Sequence, residues 1–206
     1  MIQKAYNSWA NTYDEMMNKT RDLDKMVVQK VLGKMGYTNV LELGCGTGKN
    51  TVFFAQKAIS VIGLDFSEEM LAKAKGKISS ENITFQTADL TKDWQVKDES
   101  IDLISCSLAL EHIFDLDFIF EQAFKKLNLD GKFFISELHP FKQYTGSKAR
   151  YETQAGTKEI DVFLHHVSDF LNAASKNRFK LVELNEWFDT EDKQGIPRLI
   201  SFLFEK

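Results

Sequence analysis

Proline and cysteine are the first scarcities in this chain, with two of each in 206 residues. Both cysteines, Cys45 and Cys106, fall in apolar segments. That excludes a secreted disulfide framework and leads us to expect reduced thiols in a cytoplasmic protein. No apolar run approaches the length of a bilayer span. The opening stretch, residues 1–7, lacks the apolar core of a secretion signal. Basic residues do not dominate either: 26 Lys and Arg stand against 30 Asp and Glu, a net charge of −4. Phosphate binding is driven by clustered cations, so nucleic acid is disfavoured as the main partner. The short basic run Lys73–Lys77 sits at helical spacing and reads as a solvated face. There is no Pro- or Ser-rich linker and no internal repeat. What remains is 43% hydrophobic and 12% aromatic, enough for one substantial core. One domain over residues 1–206 is expected.

The most informative stretch is Val40-Leu41-Glu42-Leu43-Gly44-Cys45-Gly46-Thr47-Gly48. It reads as a buried strand running into a turn with a glycine at every second position, followed by a helix over Lys49–Ala55. Glycine permits positive φ and lets a nucleotide-like ligand approach bare backbone at the end of a parallel sheet. A second strand, residues 58–65, ends in Asp65 about twenty residues after the glycines, the spacing of a carboxylate that grips ribose hydroxyls. Ser67 is the better N-cap of the next helix, because Glu68 and Glu69 follow it; that leaves Asp65 for the ligand. A third strand is read within 82–90, with Asp89 just past its end, by itself an ordinary turn residue, and a fourth covers residues 100–107. Strands alternating with helical patterns describe a parallel α/β sheet with a crevice along its carboxyl edge.

These residues resemble the class I S-adenosylmethionine-dependent methyltransferases, nearest to the small-molecule group of type 11 or type 12 methyltransferase domains. Glu42-Leu43-Gly44-Cys45-Gly46-Thr47-Gly48 matches that family's E/D-x-G-x-G-x-G. It fits the dinucleotide pattern G-x-G-x-x-G less well, since Lys49 stands where that pattern wants its last glycine. Residues 6–14 resemble the family's Y-x-x-x-A-x-x-Y-D lead-in. The resemblance implies a cofactor, S-adenosyl-L-methionine, and a three-layer Rossmann-like sheet in the order 3-2-1-4-5-7-6 with strand 7 antiparallel. It implies that Glu42, Gly44, Cys45, Gly46 and Gly48 underlie the methionine end, that Asp65 binds the ribose, and that Phe66 and Asp89 meet the adenine. Met70, Leu90 and Cys106 would complete the pocket, and Tyr13 would cover it from an N-terminal helical segment (1–36). The reaction implied is methyl transfer to a small-molecule acceptor.

The second half has weaker signals. Residues 115–127 carry apolar side chains at helical spacing. Residues 128–131 read as a turn into a fifth strand over 132–138, and 139–160 as a lid or substrate-wall insertion. A helix is expected over 160–176, and a closing antiparallel pair over 179–184 and 199–204. A general base is useful only for a protonated acceptor. The candidates are His139 at the exit of strand five, and His112 and Glu111 at that of strand four. His139 stands at even odds with a purely structural role before Pro140, and His112 could be buried in a helical turn. His165 and His166 are adjacent and point apart, so no metal pair forms and no metal site is expected. Tyr6, Trp9 and Tyr13 share one helical face. The Pro-Pro-aromatic motif of enzymes that methylate amino groups of DNA or glutamine is absent after strand four. Two rivals remain: a non-catalytic S-adenosylmethionine-binding regulator, and a nicotinamide-dependent oxidoreductase. The acceptor atom is not encoded in this scaffold, and the oligomeric state is equally silent.

Overall fold

The computed structural model describes residues 2–10, 12–15, 17–146, 150–153, 156–159, 162–193 and 195–206. Its centre is a sheet of β1 (Asn39–Leu43), β2 (Ser60–Asp65), β3 (Ile83–Thr87), β4 (Ile101–Ser107), β5 (Leu127–Leu138), β8 (Lys180–Trp187) and β9 (Leu199–Glu205). The order is β3-β2-β1-β4-β5-β9-β8, with β9 antiparallel to both neighbours and the first five strands parallel. This is the 3-2-1-4-5-7-6 Rossmann-like architecture expected from the sequence, and its topological switch lies between β1 and β4. A separate hairpin of β6 (Arg150–Thr153) and β7 (Gly156–Glu159) stands apart from the sheet.

Alternation along each strand sends side chains to two apolar layers. On one face Val40, Val61, Leu103 and Phe134 pack under Val27, Val28 and Leu32 of α2 (Lys19–Leu32) and Phe54 of α3 (Thr51–Ala55). On the other, Leu41, Leu43, Ile104, Phe133 and Ile135 meet α5 (Leu116–Lys126) and α7 (Val167–Lys176). The abundant phenylalanines concentrate in this second layer. Phe120 lies edge-to-face with Phe133, Phe179 and Phe204 at 5.2–5.7 Å between centroids, the geometry that the ring quadrupole favours. Among the described residues no helix is long and apolar enough to cross a membrane.

Local chemistry fixes the helix starts. Ser67 Oγ accepts from Met70 N to cap α4 (Glu68–Lys77); Asn18 Oδ1 accepts from Thr20 N and Arg21 N to cap α2. Three departures from expectation change where a site residue or a turn was placed. The turn expected at 128–131 is part of β5, which begins at Leu127; Ile101 pairs with Leu127 and Leu103 with Lys132 across a register shift, and Asp130 has φ +63°. A bulge absorbs the extra residues where a turn was read. The helix expected from 160 starts at Val167, because Asp169 Oδ2 accepts from the backbone N of His166 and sets the first turn there; His165 and His166 therefore precede the helix. Residues 160 and 161 lie outside the described residues, as do 147–149 and 154–155 of the 139–160 insertion. Finally, α1 (Ile2–Trp9) ends before Tyr13, so Tyr13 is not on the helical face of Tyr6 and Trp9, although its ring packs on Trp9 at 4.7 Å.

Candidate active site

A cavity opens at the carboxyl ends of β1, β2 and β4, beneath α1. Its floor is the glycine turn. Gly46 has φ +54°, and a Cβ built there would meet nothing within 4 Å, so bare backbone faces open space. The Gly46 N–H donates to Asp65 Oδ2 at 2.8 Å, and Ser67 N donates to Asp65 Oδ1 at 2.8 Å. Asp65 thus ties the turn to the end of β2. Its side chain is buried, and burial raises its pKa even though these backbone donors pull it down. Glu42, on β1, accepts from Thr51 Oγ1 at 2.5 Å, and burial pushes its carboxyl up to about 8.

The apolar wall is Ile2, Phe66, Met70, Leu90 and Ile113. Asp89 lines the same end, and its Oδ1 also accepts from the N–H and hydroxyl of Thr91, closing the turn after β3. Over the opening lies α1. Gln3 Nε2 donates to Phe66 O at 2.6 Å, Ser67 Oγ donates to Asn7 Oδ1 at 2.6 Å, and the Tyr6 hydroxyl meets His112 Nε2 at 2.8 Å. Three polar contacts therefore pin the cover to both sides of the cleft.

Of the residues singled out in the sequence, Tyr13, Glu42, Gly44, Cys45, Gly46, Asp65, Phe66, Met70, Asp89, Leu90 and His112 line this cavity. Gly48, Cys106, Glu111 and His139 do not. Gly48, φ +81°, abuts α4: a Cβ there would lie 2.5 Å from Ile78 Cδ1. Cys106 is fully buried beside Ile104 and Leu110, and it is Ser107, one residue on and facing the other way, that reaches the cavity. Glu111 sits behind His112, its carboxylate 3.8 Å from Nε2, and burial pushes it up to about 7.

His139 caps α6 (Pro140–Tyr144): its Nδ1 accepts from Phe141 N at 3.2 Å, which leaves the Nε2 proton to Glu186 Oε1 at 3.1 Å. Both ring nitrogens are spent on structure, and burial lowers the imidazole's pKa. We expect His139→Ala to cost about 1–2 kcal/mol in thermal unfolding without changing ligand affinity in the cavity. Lost affinity at unchanged stability would return His139 to the site.

Sequence reading missed the polar end. Arg21 and Asp24 of α2, with Lys49 and Asn50 of the glycine turn, line the cavity beside Tyr13. The Arg21 guanidinium lies 4.7 Å over the Tyr13 ring and donates to the Tyr13 carbonyl. Asn50 Nδ2 donates to Asp24 Oδ2 at 3.0 Å, with Lys49 Nζ at 4.0 Å. Burial brings Lys49 down to about 8 and raises Asp24. One signal was available: Arg21 and Asp24 fall on the same helical stripe as the buried Val27, Val28 and Leu32, and charge on a core stripe marks a site.

A model described as a methyltransferase domain matches residues 36–180. The chain belongs to the methyltransferase-domain family. An uncharacterized methyltransferase of Emericella nidulans is 27% identical over 97% of this chain and 83% of its own length. A malonyl-[acyl-carrier protein] O-methyltransferase of Coxiella burnetii is 28% identical over 63% of this chain and 53% of its own. Several other curated methyltransferases are matched over 30–52% of their length. The crystal structure of an S-adenosylmethionine-dependent methyltransferase from Mesorhizobium loti superposes with a TM-score of 0.76 at 23% identity, covering 89% of this chain and 98% of that one. The methyltransferase described here thus has the fold of the S-adenosylmethionine-dependent class.

Proposed function

We propose that this methyltransferase uses S-adenosyl-L-methionine to methylate a small-molecule acceptor by in-line displacement. The observation that carries the reading is the bare Gly46 backbone hydrogen-bonded to Asp65 across the floor of an open cavity. The residues present fit the cofactor. Asp65 offers a carboxylate to vicinal hydroxyls; Phe66, Met70, Leu90 and Ile113 form an apolar slot for adenine, with Asp89 at its edge; Arg21 and Lys49 suit a carboxylate, and Asp24 an ammonium. Bound there, the cofactor supplies an electrophilic methyl group on a sulfonium. The chain's own task is alignment and exclusion of water. α1 closes the cleft through Gln3, Tyr6 and Asn7.

Tyr6 and His112 form the group that can handle an acceptor's proton. The Tyr6 hydroxyl lies 2.8 Å from His112 Nε2, to which it donates when the neutral imidazole carries its proton on Nδ1, and Glu111, held near 7, faces the same nitrogen. A proton leaving the acceptor at Tyr6 can pass to His112 and rest beside the Glu111 carboxylate. In this reading α1 from the N-terminal cover and α6 from the 139–160 insertion provide the acceptor's walls.

Calorimetric titration with S-adenosylmethionine, S-adenosylhomocysteine and NAD tests the proposal. Binding of the first two and not of NAD is expected. Asp65→Ala should weaken both by roughly tenfold to a hundredfold, about 1.5–3 kcal/mol for a charge-assisted hydrogen bond. Unchanged affinity in that variant would remove Asp65 from the ribose site, and NAD binding alone would overturn the cofactor.

A further inference from the structure

Five large apolar side chains left in water gather on one side of the cleft. Phe114 is 77% exposed, Phe141 51%, Tyr144 50%, Leu164 42% and Phe163 40%. Four of these five are aromatic rings. They come from three segments far apart in sequence, and direct contacts join them. Phe114 and Phe163 meet edge-to-face at 5.4 Å, and Phe141 and Tyr144 at 5.9 Å. Glu111 links the two pairs: its carbonyl accepts from Phe163 N at 2.7 Å, and its Oε2 accepts from Gln143 Nε2 at 3.3 Å. His165 Nε2 is 2.8 Å from Ile113 O, and the Tyr144 hydroxyl is 2.6 Å from His166 Nδ1. The whole rim is therefore anchored on residues 111–114, the same loop that turns His112 and Ile113 into the cavity.

Folding alone gives no reason for this arrangement. Contiguous exposed aromatics are costly in water and mark a binding surface. Here Phe114 directly follows Ile113, which lines the cleft, and the polar group next to it is the Tyr6–His112 pair. We propose that the methyl acceptor is an amphipathic molecule: its apolar body lies on the rim of Phe114, Phe141, Tyr144, Phe163 and Leu164, and its reacting polar end reaches Tyr6 and His112. This rests on the reading of the cavity as the methyl-donor site. A fully polar metabolite would leave the rim bare, whereas an alkyl or aryl body of modest size covers it and is held at the mouth of the cleft.

The probe is a series of 4-alkylphenols, from methyl to hexyl, titrated into protein saturated with S-adenosylhomocysteine. Affinity is expected to rise roughly two- to fourfold per methylene, the effect of partly to fully burying each group. A Phe114→Ser/Phe163→Ser variant should flatten the series while its affinity for S-adenosylhomocysteine stays within about twofold. Tyr144→Ser alone should flatten it less. A flat series in the unmodified protein, or an equally steep one in the double variant, overturns the proposal. So does a concentration-dependent dimer that abolishes alkylphenol binding, since the rim would then serve self-association. Failure of S-adenosylhomocysteine to bind the unmodified protein removes the donor-site reading and this inference with it. Its binding combined with a flat series removes the inference alone.

Discussion

Gly46→Val is expected to give a folded protein that no longer binds S-adenosylmethionine, whereas Gly48→Val is expected to weaken the fold and leave the site's affinity nearly intact. The two glycines sit two residues apart in one turn, both with positive φ. For a residue with a Cβ that conformation costs about 1–2 kcal/mol, so both variants lose some stability. What separates them is where the new side chain goes. At Gly46 it enters open space, within the volume between the turn and the apolar wall. The chain has room for it and the ligand does not. At Gly48 it meets Ile78 Cδ1 at 2.5 Å and Ala74 Cβ at 3.3 Å, on the packing surface between the turn and α4. Ile78 can swing away, but α4 then loses contact, for a total of about 2–4 kcal/mol. Thermal unfolding and calorimetry on the two variants separate the cases. Retained affinity in Gly46→Val would mean that the ligand does not lie over this turn. Lost affinity in Gly48→Val at unchanged stability would put Gly48 in the site.

The sheet was legible because its rules are local. Apolar runs gave the strands, and the turn, Ser67 and Asp65 gave the connection between β1 and α4. The sheet order came from resemblance, since spacing does not order strands. The site's failures have specific causes. Cys106 and Ser107 are neighbours on β4, and a strand sends neighbours to opposite faces. Only the register against β5 shows that Cys106 faces the core with Ile104 while Ser107 faces the cleft. His139 was placed by strand end alone, but its Nδ1 is held by Phe141 N, a contact between residues two apart that spacing does not announce. Arg21 and Asp24 on α2 and Lys49 at the end of the glycine turn come from two separate segments, and only the docking of α2 over that turn brings them together. The acceptor rim is more distant still, since residues 114, 141–144 and 163–164 carry no shared motif.

Stability of the ligand-free protein should fall as pH rises from about 5 to about 8, which is the second large effect. Glu42 and Glu137 are both buried, and burial pushes each up to about 8. An unfolded chain gives up these protons near the ordinary glutamate value, about 4.3. Between the two values the native state holds more protons than the unfolded one, so the slope of unfolding free energy against pH is negative. The contribution is fully present below the unfolded pKa and is lost as pH rises through the folded one. Each group that keeps a full proton contributes up to about 1.4 kcal/mol per pH unit in that window. Glutamine preserves the acceptors at both positions: Glu42 receives Thr51 Oγ1, and Glu137 Oε1 receives Ala109 N and Leu110 N. Glu42→Gln should therefore fold and lose about one proton's worth of slope in thermal unfolding followed across this range. A midpoint that climbs from pH 5 to 8 in the unmodified protein, or an unchanged slope in Glu42→Gln, would rule this out. Only Glu42 of the pair lines the cavity, so only its proton is linked directly to the charge of the bound ligand. A sulfonium there favours the ionised carboxylate, so affinity for S-adenosylmethionine should rise across the same window. Affinity for its uncharged-sulfur product should rise less, and Glu42→Gln should remove the difference in pH dependence between the two.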